Sequence, residues 1–206
     1  MKIFRFILCL LILNSCKDIN EKREQLDNVT IRDGLNLDYY YYGNTKIKDS
    51  VASNYFDLGL REIQKENFIN AREIIQKSNN IEPNNLIILN SLGNIECRLK
   101  NFDKSYEYFN QAIQIDSFFS PTYLNLGTTL NEDFKEEKAI EIFDKGIKLK
   151  DNFVSKSEWF YSKAIAYYNL DDIEKSIEFN EKALIYVEKS ELKESIMELK
   201  NILKDK

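Results

Sequence analysis

The stretch from Leu86 to Asp116 reads LIILNSLGNIECRLKNFDKSYEYFNQAIQID, and its pattern decides the fold. Large apolar residues recur three and four apart on each side of a polar break at Lys100-Asn101, which predicts two helices joined by a turn. The first helix contains Leu92-Gly93, and the second contains the small residue Ser105 followed by the aromatic Phe109. Small residues on both helices indicate that the two helices cross closely.

The same pattern recurs along the chain. A shift of 34 residues aligns Leu58-Gly59 with Leu92-Gly93 and Leu126-Gly127; it also aligns Ala71 with Ser105 and Ala139, and Ile75 with Phe109 and Phe143. A fourth copy follows three extra residues near 154–156, with Ala164, Ser176 and Asn180 in the corresponding places. We expect Gly59 to face Ala71, turns at 65–67, 100–101 and 131–133, and an end to the first hairpin at Pro83, because proline cannot continue a helix.

This pattern resembles the tetratricopeptide repeat, a helix–turn–helix unit. The resemblance implies an all-α fold, a right-handed α-solenoid with repeats at 52–85, 86–119, 120–153 and 157–190. Residues 191–206 are expected to form a C-terminal capping helix, because the last hairpin otherwise lacks a neighbour. The apolar stripe of this helix is Leu192, Ile196, Leu199 and Leu203. A helix that pairs with a coiled-coil partner is the alternative.

The resemblance also implies a concave groove, lined by the first helix of each repeat, that binds a protein or peptide partner. By the family's register the lining residues are Phe56, Leu60, Ile63, Asn90, Asn94, Cys97, Leu124, Asn125, Thr128, Asn131, Tyr161, Ile165 and Tyr168. Such a groove is apolar and rich in amides, and asparagine side chains can pair with the main chain of an extended peptide. The alternative is that these residues only pack neighbouring first helices together.

A clamp for a C-terminal carboxylate, as in the chaperone-tail binders of this family, is not expected. Asn94 and Asn125 fit the asparagine places of such a clamp, but its basic places hold Asn90, Glu158 and Ser162. Without a cation, a buried carboxylate is poorly compensated.

The first sixteen residues have the features of a targeting segment. Lys2 and Arg5 precede an apolar run from Phe6 to Leu13, which is far shorter than the ~20 residues that span a bilayer and is typical of a signal peptide. Leu13-Asn14-Ser15-Cys16 resembles the bacterial lipobox. The resemblance implies that residues 1–15 are removed and that the Cys16 sulfur carries a lipid. An ordinary cleaved signal with a chance cysteine, or a buried N-terminal helix, is the alternative.

Residues 16–50 are predicted to be the lipidated N-terminus and a polar tether. Lysine rather than aspartate follows Cys16, so the inner-membrane retention signal is absent, and we expect a lipid-anchored protein of the cell envelope at the outer membrane. Four consecutive tyrosines, Tyr39 to Tyr42, are unusual in a tether. They are expected either to pack on the first repeat or to contact a headgroup layer.

Composition restricts the function further. The formal net charge is −5 and no basic patch appears, which disfavours nucleic acid as a partner. The chain has no histidine, and its three cysteines lack metal-ligand spacing, so we expect no metal and no cofactor. No nucleophile motif or phosphate loop appears, and an enzyme is not expected. The acidic pairs Glu136-Glu137 and Asp171-Asp172 are expected at helix starts.

The predicted function is therefore that of a membrane-anchored adaptor, a tetratricopeptide-repeat lipoprotein that binds a protein or peptide partner. The alternative is a lipoprotein that captures a glycan or peptide ligand for uptake. Aromatic side chains grouped on one exposed surface would favour that alternative.

Overall fold

The computed structural model describes residues 46–149, 154–187 and 190–204. Within these ranges the chain forms helices and no strands, which confirms the predicted all-α class. The signal peptide, Cys16 and Tyr39–Tyr42 lie outside the described residues. The helices are α1 Ser50–Gln64, α2 Phe68–Ile81, α3 Leu86–Arg98, α4 Phe102–Ile115, α5 Ser120–Glu132, α6 Glu136–Gly146, α7 Lys156–Asn169, α8 Ile173–Tyr186 and α9 Ser190–Lys204.

The helices fall into two compact units, divided between Ser117 and Phe118. In the first unit, α1 pairs with α2 and α3 with α4, and α2 packs on α3. In the second unit, α5 pairs with α6 and α7 with α8, and α6 packs on α7. The last helix, α9, packs on α8 and buries Ile196, Leu199 and Leu203. This packing confirms the predicted capping helix.

One turn geometry closes all four hairpins. The second residue after each first helix has a left-handed backbone, with φ of 60° at Glu66, 62° at Lys100, 61° at Phe134 and 62° at Asp171. In the first hairpin, the amide of Asn67 donates to the carbonyl of Glu62 at 2.9 Å, and the amide of Glu66 donates to that of Ile63 at 2.8 Å. The equivalent bonds recur in the other three turns. This arrangement satisfies the last carbonyls of a helix, and it usually has glycine at the left-handed position.

Two of the three predicted turns lie where they were expected. The second helix of the first hairpin, α2, ends at Ile81, before Pro83. The third prediction was wrong by two residues. Asn131 and Glu132 belong to α5, and the turn occupies Asp133 to Lys135. Three consecutive polar residues suggested an early break, but the repeat places the apolar Phe134 at the left-handed position.

The two helices of a hairpin approach closely because the first helix has a small residue where they cross, a glycine in the first three hairpins and Ala164 in the fourth. A Cβ atom on Gly93 would lie 2.6 Å from the Phe109 ring, and one on Gly127 would lie 2.3 Å from the Phe143 ring. In the first hairpin the residue that fills this space is Ile75, at 2.2 Å, whereas Ala71 contributes its carbonyl oxygen at 3.5 Å. Gly59 therefore lies against Ala71 as expected, but the side chain that fills the space left by its missing Cβ is that of Ile75, one turn later on α2.

Serine replaces alanine at some of these crossings, and its hydroxyl is paired. Ser105 Oγ donates to the carbonyl of Gly93 at 2.8 Å, and Ser176 Oγ makes the equivalent bond to Ala164, also at 2.8 Å. Both serines are fully buried. Since a buried polar group is costly only when it is unpaired, serine substitutes for alanine here without disturbing the packing.

We expect Gly93→Ala to destabilise the first unit. Overpacking a core costs about 1–3 kcal/mol, whereas replacing a helix glycine with alanine gains about 1 kcal/mol. The expected net loss in the free energy of unfolding is therefore up to about 2 kcal/mol, measured by denaturant titration followed by circular dichroism. Adding Phe109→Leu should recover part of that loss. Strictly additive effects of the two substitutions would contradict the proposed contact.

We expect Glu66→Gly to raise the free energy of unfolding by up to about 1 kcal/mol, because a left-handed backbone is costly for a residue with a Cβ. The matched control is Glu73→Gly at an exposed position inside α2, where glycine should lower it by about 1 kcal/mol. The same denaturation measurement tests both variants. Shifts of the same sign would be incompatible with the strain assigned to Glu66.

Candidate functional site

In the first unit, the predicted groove residues on α1 belong to the hydrophobic core. Phe56, Leu60 and Ile63 are buried in one cluster with Ile88 and Leu92 of α3. Their side chains hold the two first helices together. In this structure these three side chains are therefore not accessible to a partner.

The predicted residues on α3 form one stripe of that helix, and they differ in accessibility. Asn90 is buried and donates its amide to the carbonyl of Leu86 at 2.8 Å, and Cys97 is buried as expected of a small apolar residue. Asn94 is half-buried, and its Nδ2 has no hydrogen-bond partner among the described residues. Leaving a buried donor unpaired costs about 1–3 kcal/mol. An acceptor on a bound peptide would remove that cost.

In the second unit, four of the predicted residues are buried: Thr128, Asn131, Tyr161 and Ile165. Asn131 accepts a bond from Asn169 Nδ2 at 3.2 Å, which joins α5 to α7. Tyr161 lies against α9 and donates its hydroxyl to the carbonyl of Ser195 at 3.4 Å. Burial, reinforced by the nearby Glu198 charge, raises the pKa of the Tyr161 hydroxyl far above its usual range. Tyr161 is therefore a structural residue that fastens the capping helix.

The predicted residues that stay accessible to a partner are Asn94 in the first unit and Leu124, Asn125 and Tyr168 in the second, all of them half-buried. Leu124 and Asn125 lie on α5, and Tyr168 lies on α7, which contacts α5. An apolar side chain, an amide and a phenol are the group types that hold an extended peptide. In the first unit, Asn94 is an amide side chain of the same type.

The three places where a carboxylate clamp needs cations are occupied by structural residues. Asn90 and Ser162 are buried. Glu158 caps its own helix: the Ser155 amide donates to Glu158 Oε2 at 2.8 Å, and the Glu158 amide donates to Ser155 Oγ at 3.2 Å. These places therefore offer no positive charge to a peptide carboxylate.

A ladder of lysines and aromatic rings follows the α7–α8 hairpin. Each helix carries Lys, Phe, Lys and Tyr at the same spacing: Lys156, Phe160, Lys163 and Tyr167 on α7, and Lys175, Phe179, Lys182 and Tyr186 on α8. The helices are antiparallel, so a lysine of one meets a ring of the other. Lys163 Nζ lies 4.1 Å from the centre of the Phe179 ring, and Lys156 Nζ lies 5.1 Å from that of Tyr186.

The rings of this ladder also contact one another, so their faces are largely occupied. Tyr167 and Phe179 stack with centres 5.3 Å apart, and Phe160 lies 5.8 Å from Tyr186. Lys163 is almost fully buried and pairs with Asp144 Oδ1 of α6 at 2.6 Å. Cation–π pairs contribute most where water is excluded, so the ladder mainly stabilises the hairpin. Sequence reasoning missed it, although the repeated Lys–Phe–Lys–Tyr spacing was visible.

Two further observations limit the chemistry of the described residues. They contain no group of three or more cysteine, aspartate or glutamate side chains arranged to hold a metal ion. None of the helices in these ranges is both long and apolar enough to cross a bilayer.

The comparisons with known proteins agree with this architecture. Residues 87–119 and 120–153 match the tetratricopeptide repeat family. No curated protein matches the sequence. Among solved structures, PilW, a type IV pilus biogenesis factor, aligns with a TM-score of 0.60 at 18% identity over 66% of this chain, and the match spans 62% of PilW.

Two other solved structures have a similar fold. PilF of Pseudomonas aeruginosa aligns with a TM-score of 0.63 at 19% identity, over 78% of this chain and 72% of PilF. A thermophilic tetratricopeptide-repeat protein of Thermus thermophilus aligns with a TM-score of 0.62 at 13% identity, over 72% of this chain and 80% of its own. These identities are low, so they bear on the fold alone. The helical hairpins of this chain are of the tetratricopeptide type, and residues 87–153 contain two tetratricopeptide repeats.

Proposed function

We propose that the chain is a membrane-anchored lipoprotein of the bacterial envelope that acts as an adaptor and binds a protein or peptide partner on the first helices of its repeats. The binding part of the proposal rests on one observation, the side-chain amide of Asn94, which is unpaired within the described ranges. Its half-buried side chain holds an amide donor without a partner in the described residues, on a helix face where the neighbouring Asn90 is paired internally. The main-chain carbonyl of an extended peptide supplies the missing acceptor.

In the second unit the proposed contact residues are Leu124, Asn125 and Tyr168, because these predicted residues keep part of their surface accessible. The buried members of the predicted set support the site indirectly, by fixing the helices that carry the exposed members. The carboxylate clamp is not part of the proposal, so the peptide is recognised along its length rather than at its C-terminus. No catalytic activity is included.

The anchoring part of the proposal rests on the sequence of the first sixteen residues. A thioether-linked diacylglycerol at Cys16 buries its chains at about 0.8 kcal/mol per CH₂, and stable attachment needs at least two such chains. The fold likeness to a type IV pilus biogenesis factor agrees with an envelope location. Because the residue after Cys16 is lysine, we place the protein at the outer membrane.

Capture of a glycan or peptide for uptake is the weaker alternative. Capture of a glycan needs aromatic side chains whose faces are free on one exposed surface. In the lysine–aromatic ladder of the second unit, the ring faces are already in contact with lysine side chains or with other rings. The amide of the half-buried Asn94, unpaired among the described residues, favours binding to a polypeptide main chain instead.

The anchor is tested by replacing Cys16. We expect the Cys16→Ser chain to lose incorporation of radiolabelled palmitate and to leave the membrane fraction, because the thiolate that accepts the lipid is gone. Cys9→Ser is the matched control, since Cys9 lies inside the predicted signal peptide and should leave labelling unchanged. Equal labelling of both variants would exclude lipidation at Cys16.

The binding site is tested with a photoreactive amino acid placed at Asn94. We expect it to capture a partner protein in cells, which mass spectrometry then identifies. The same probe at Asn110, an exposed asparagine of α4, is the control and should capture none. With the purified partner, Asn94→Ala should weaken binding about 2–10-fold, the value of one neutral hydrogen bond of about 0.5–1.5 kcal/mol. Equal capture at both positions would place the site elsewhere.

A further inference from the structure

The outer face of the first hairpin is apolar and exposed. Val51 and Leu58 of α1 are 52% and 46% exposed, and Ile81 at the end of α2 is 41% exposed. Tyr55 lies between the two α1 residues and is half-buried, with Lys77 Nζ 5.7 Å from its ring centre. Val51, Tyr55 and Leu58 are four and three residues apart, so they form one stripe of the helix. We call this surface, with Ile81, the end face.

The register of the repeats shows what this face normally meets. In the second hairpin, Leu92 is equivalent to Leu58 and is fully buried. Its helix α3 packs on the preceding helix α2, and Glu96 of α3 lies 3.9 Å from Arg72 of α2. The second helix of the same hairpin, α4, also contacts α2, because the Tyr108 hydroxyl donates to Gln76 at 2.9 Å. In the fourth hairpin the equivalent Lys163 pairs with Asp144 of the preceding helix α6.

Each of these equivalent surfaces is covered by the hairpin before it, whereas the first hairpin has no described hairpin before it. Terminal repeats of stacked-hairpin proteins need a polar covering for solubility. An uncovered apolar stripe of this kind marks a surface that binds something.

We propose that residues 35–42 of the same chain cover the end face. Their sequence is Leu-Asn-Leu-Asp-Tyr-Tyr-Tyr-Tyr, an apolar and aromatic group within an otherwise polar segment. Tyrosine suits this position because its ring covers apolar surface while its hydroxyl stays in water. Asp38 also provides a negative charge for Lys77.

The position at which the described chain begins supports this assignment. The amides of Lys48 and Asp49 donate to Glu82 Oε2 at 2.7 and 2.8 Å, and Asn85 Nδ2 donates to the carbonyl of Lys46 at 3.1 Å. Since Glu82 directly follows Ile81, the chain enters beside the end face. Gly43-Asn44 is a turn-forming pair that can direct the preceding segment back along α1.

The distances are compatible with this path. From Val51 to Leu58 the helix rises by about 10 Å, at ~1.5 Å per residue. Tyr39 to Tyr42 precede Lys46 by four to seven residues. At ~3.3 Å per extended residue, these residues reach about 13–23 Å from that point. The whole stripe is therefore within reach of the tyrosines.

Photocrosslinking on the mature, unlipidated chain tests this proposal: residues 16–206 with Cys16→Ser and a photoreactive amino acid at Leu58. We expect a crosslink to the peptide containing residues 35–42 in the same molecule, which a mixture of isotopically light and heavy chains distinguishes from a crosslink between copies. The control position is Ile185, an apolar side chain of the second unit that is 75% exposed. Crosslinks only between copies, or none to residues 35–42, would overturn the proposal.

Hydrogen exchange provides an independent readout. We expect the amides of Tyr39 to Tyr42 to exchange on the order of tenfold more slowly in the wild-type sequence than in the Val51→Ser, Leu58→Ser variant. Circular dichroism should show unchanged helicity, because both side chains are exposed. Equal exchange in the two chains, or slow exchange that appears only when phospholipid vesicles are added, would refute docking on the end face. This outcome is independent of whether Asn94 binds a partner.

Discussion

The contact between a glycine of one helix and a large side chain of the next is the constraint on which the structure depends. At Gly59, Gly93 and Gly127 the absent Cβ atom leaves the space that Ile75, Phe109 and Phe143 occupy. The same device joins two hairpins in the second unit, where a Cβ on Gly146 would lie 2.2 Å from the Trp159 ring. A single hairpin buries too little apolar surface to stay folded on its own, so the fold depends on close packing both within and between hairpins.

Much of this arrangement could be predicted from the sequence, because packing restricts the residue types so strongly. The recurring Leu-Gly pair predicted the crossings, and Pro83 predicted the end of the first hairpin. The third turn was misplaced because Asn131, Glu132 and Asp133 look like a break, whereas the repeat sets the turn by position rather than polarity. The left-handed residue there is Phe134, which no local preference favours.

The candidate site was predicted less well, for a physical reason. Register indicates which side of a helix a residue occupies, but not how closely the next helix approaches. Phe56, Leu60 and Ile63 were expected to line a groove and instead lie in the core with α3. Their aliphatic and aromatic character was a usable signal, since side chains of this kind are usually buried. The amide of Asn94 is different, because only coordinates show that a polar atom lacks a partner.

The hydrogen bonds of Glu82 have a mechanical consequence. Its carboxylate holds the amides of Lys48 and Asp49, while Asp49 accepts bonds from the first amides of α1 at 2.8 and 2.9 Å. A force applied to the chain before Lys48 therefore acts on the hydrogen bonds to Glu82, in the α2–α3 connection, before it acts on the first turn of α1. The bonds to Glu82 therefore fasten the segment before α1 to the α2–α3 connection. A pulling force on the N-terminal side has to break these bonds before it can unfold α1.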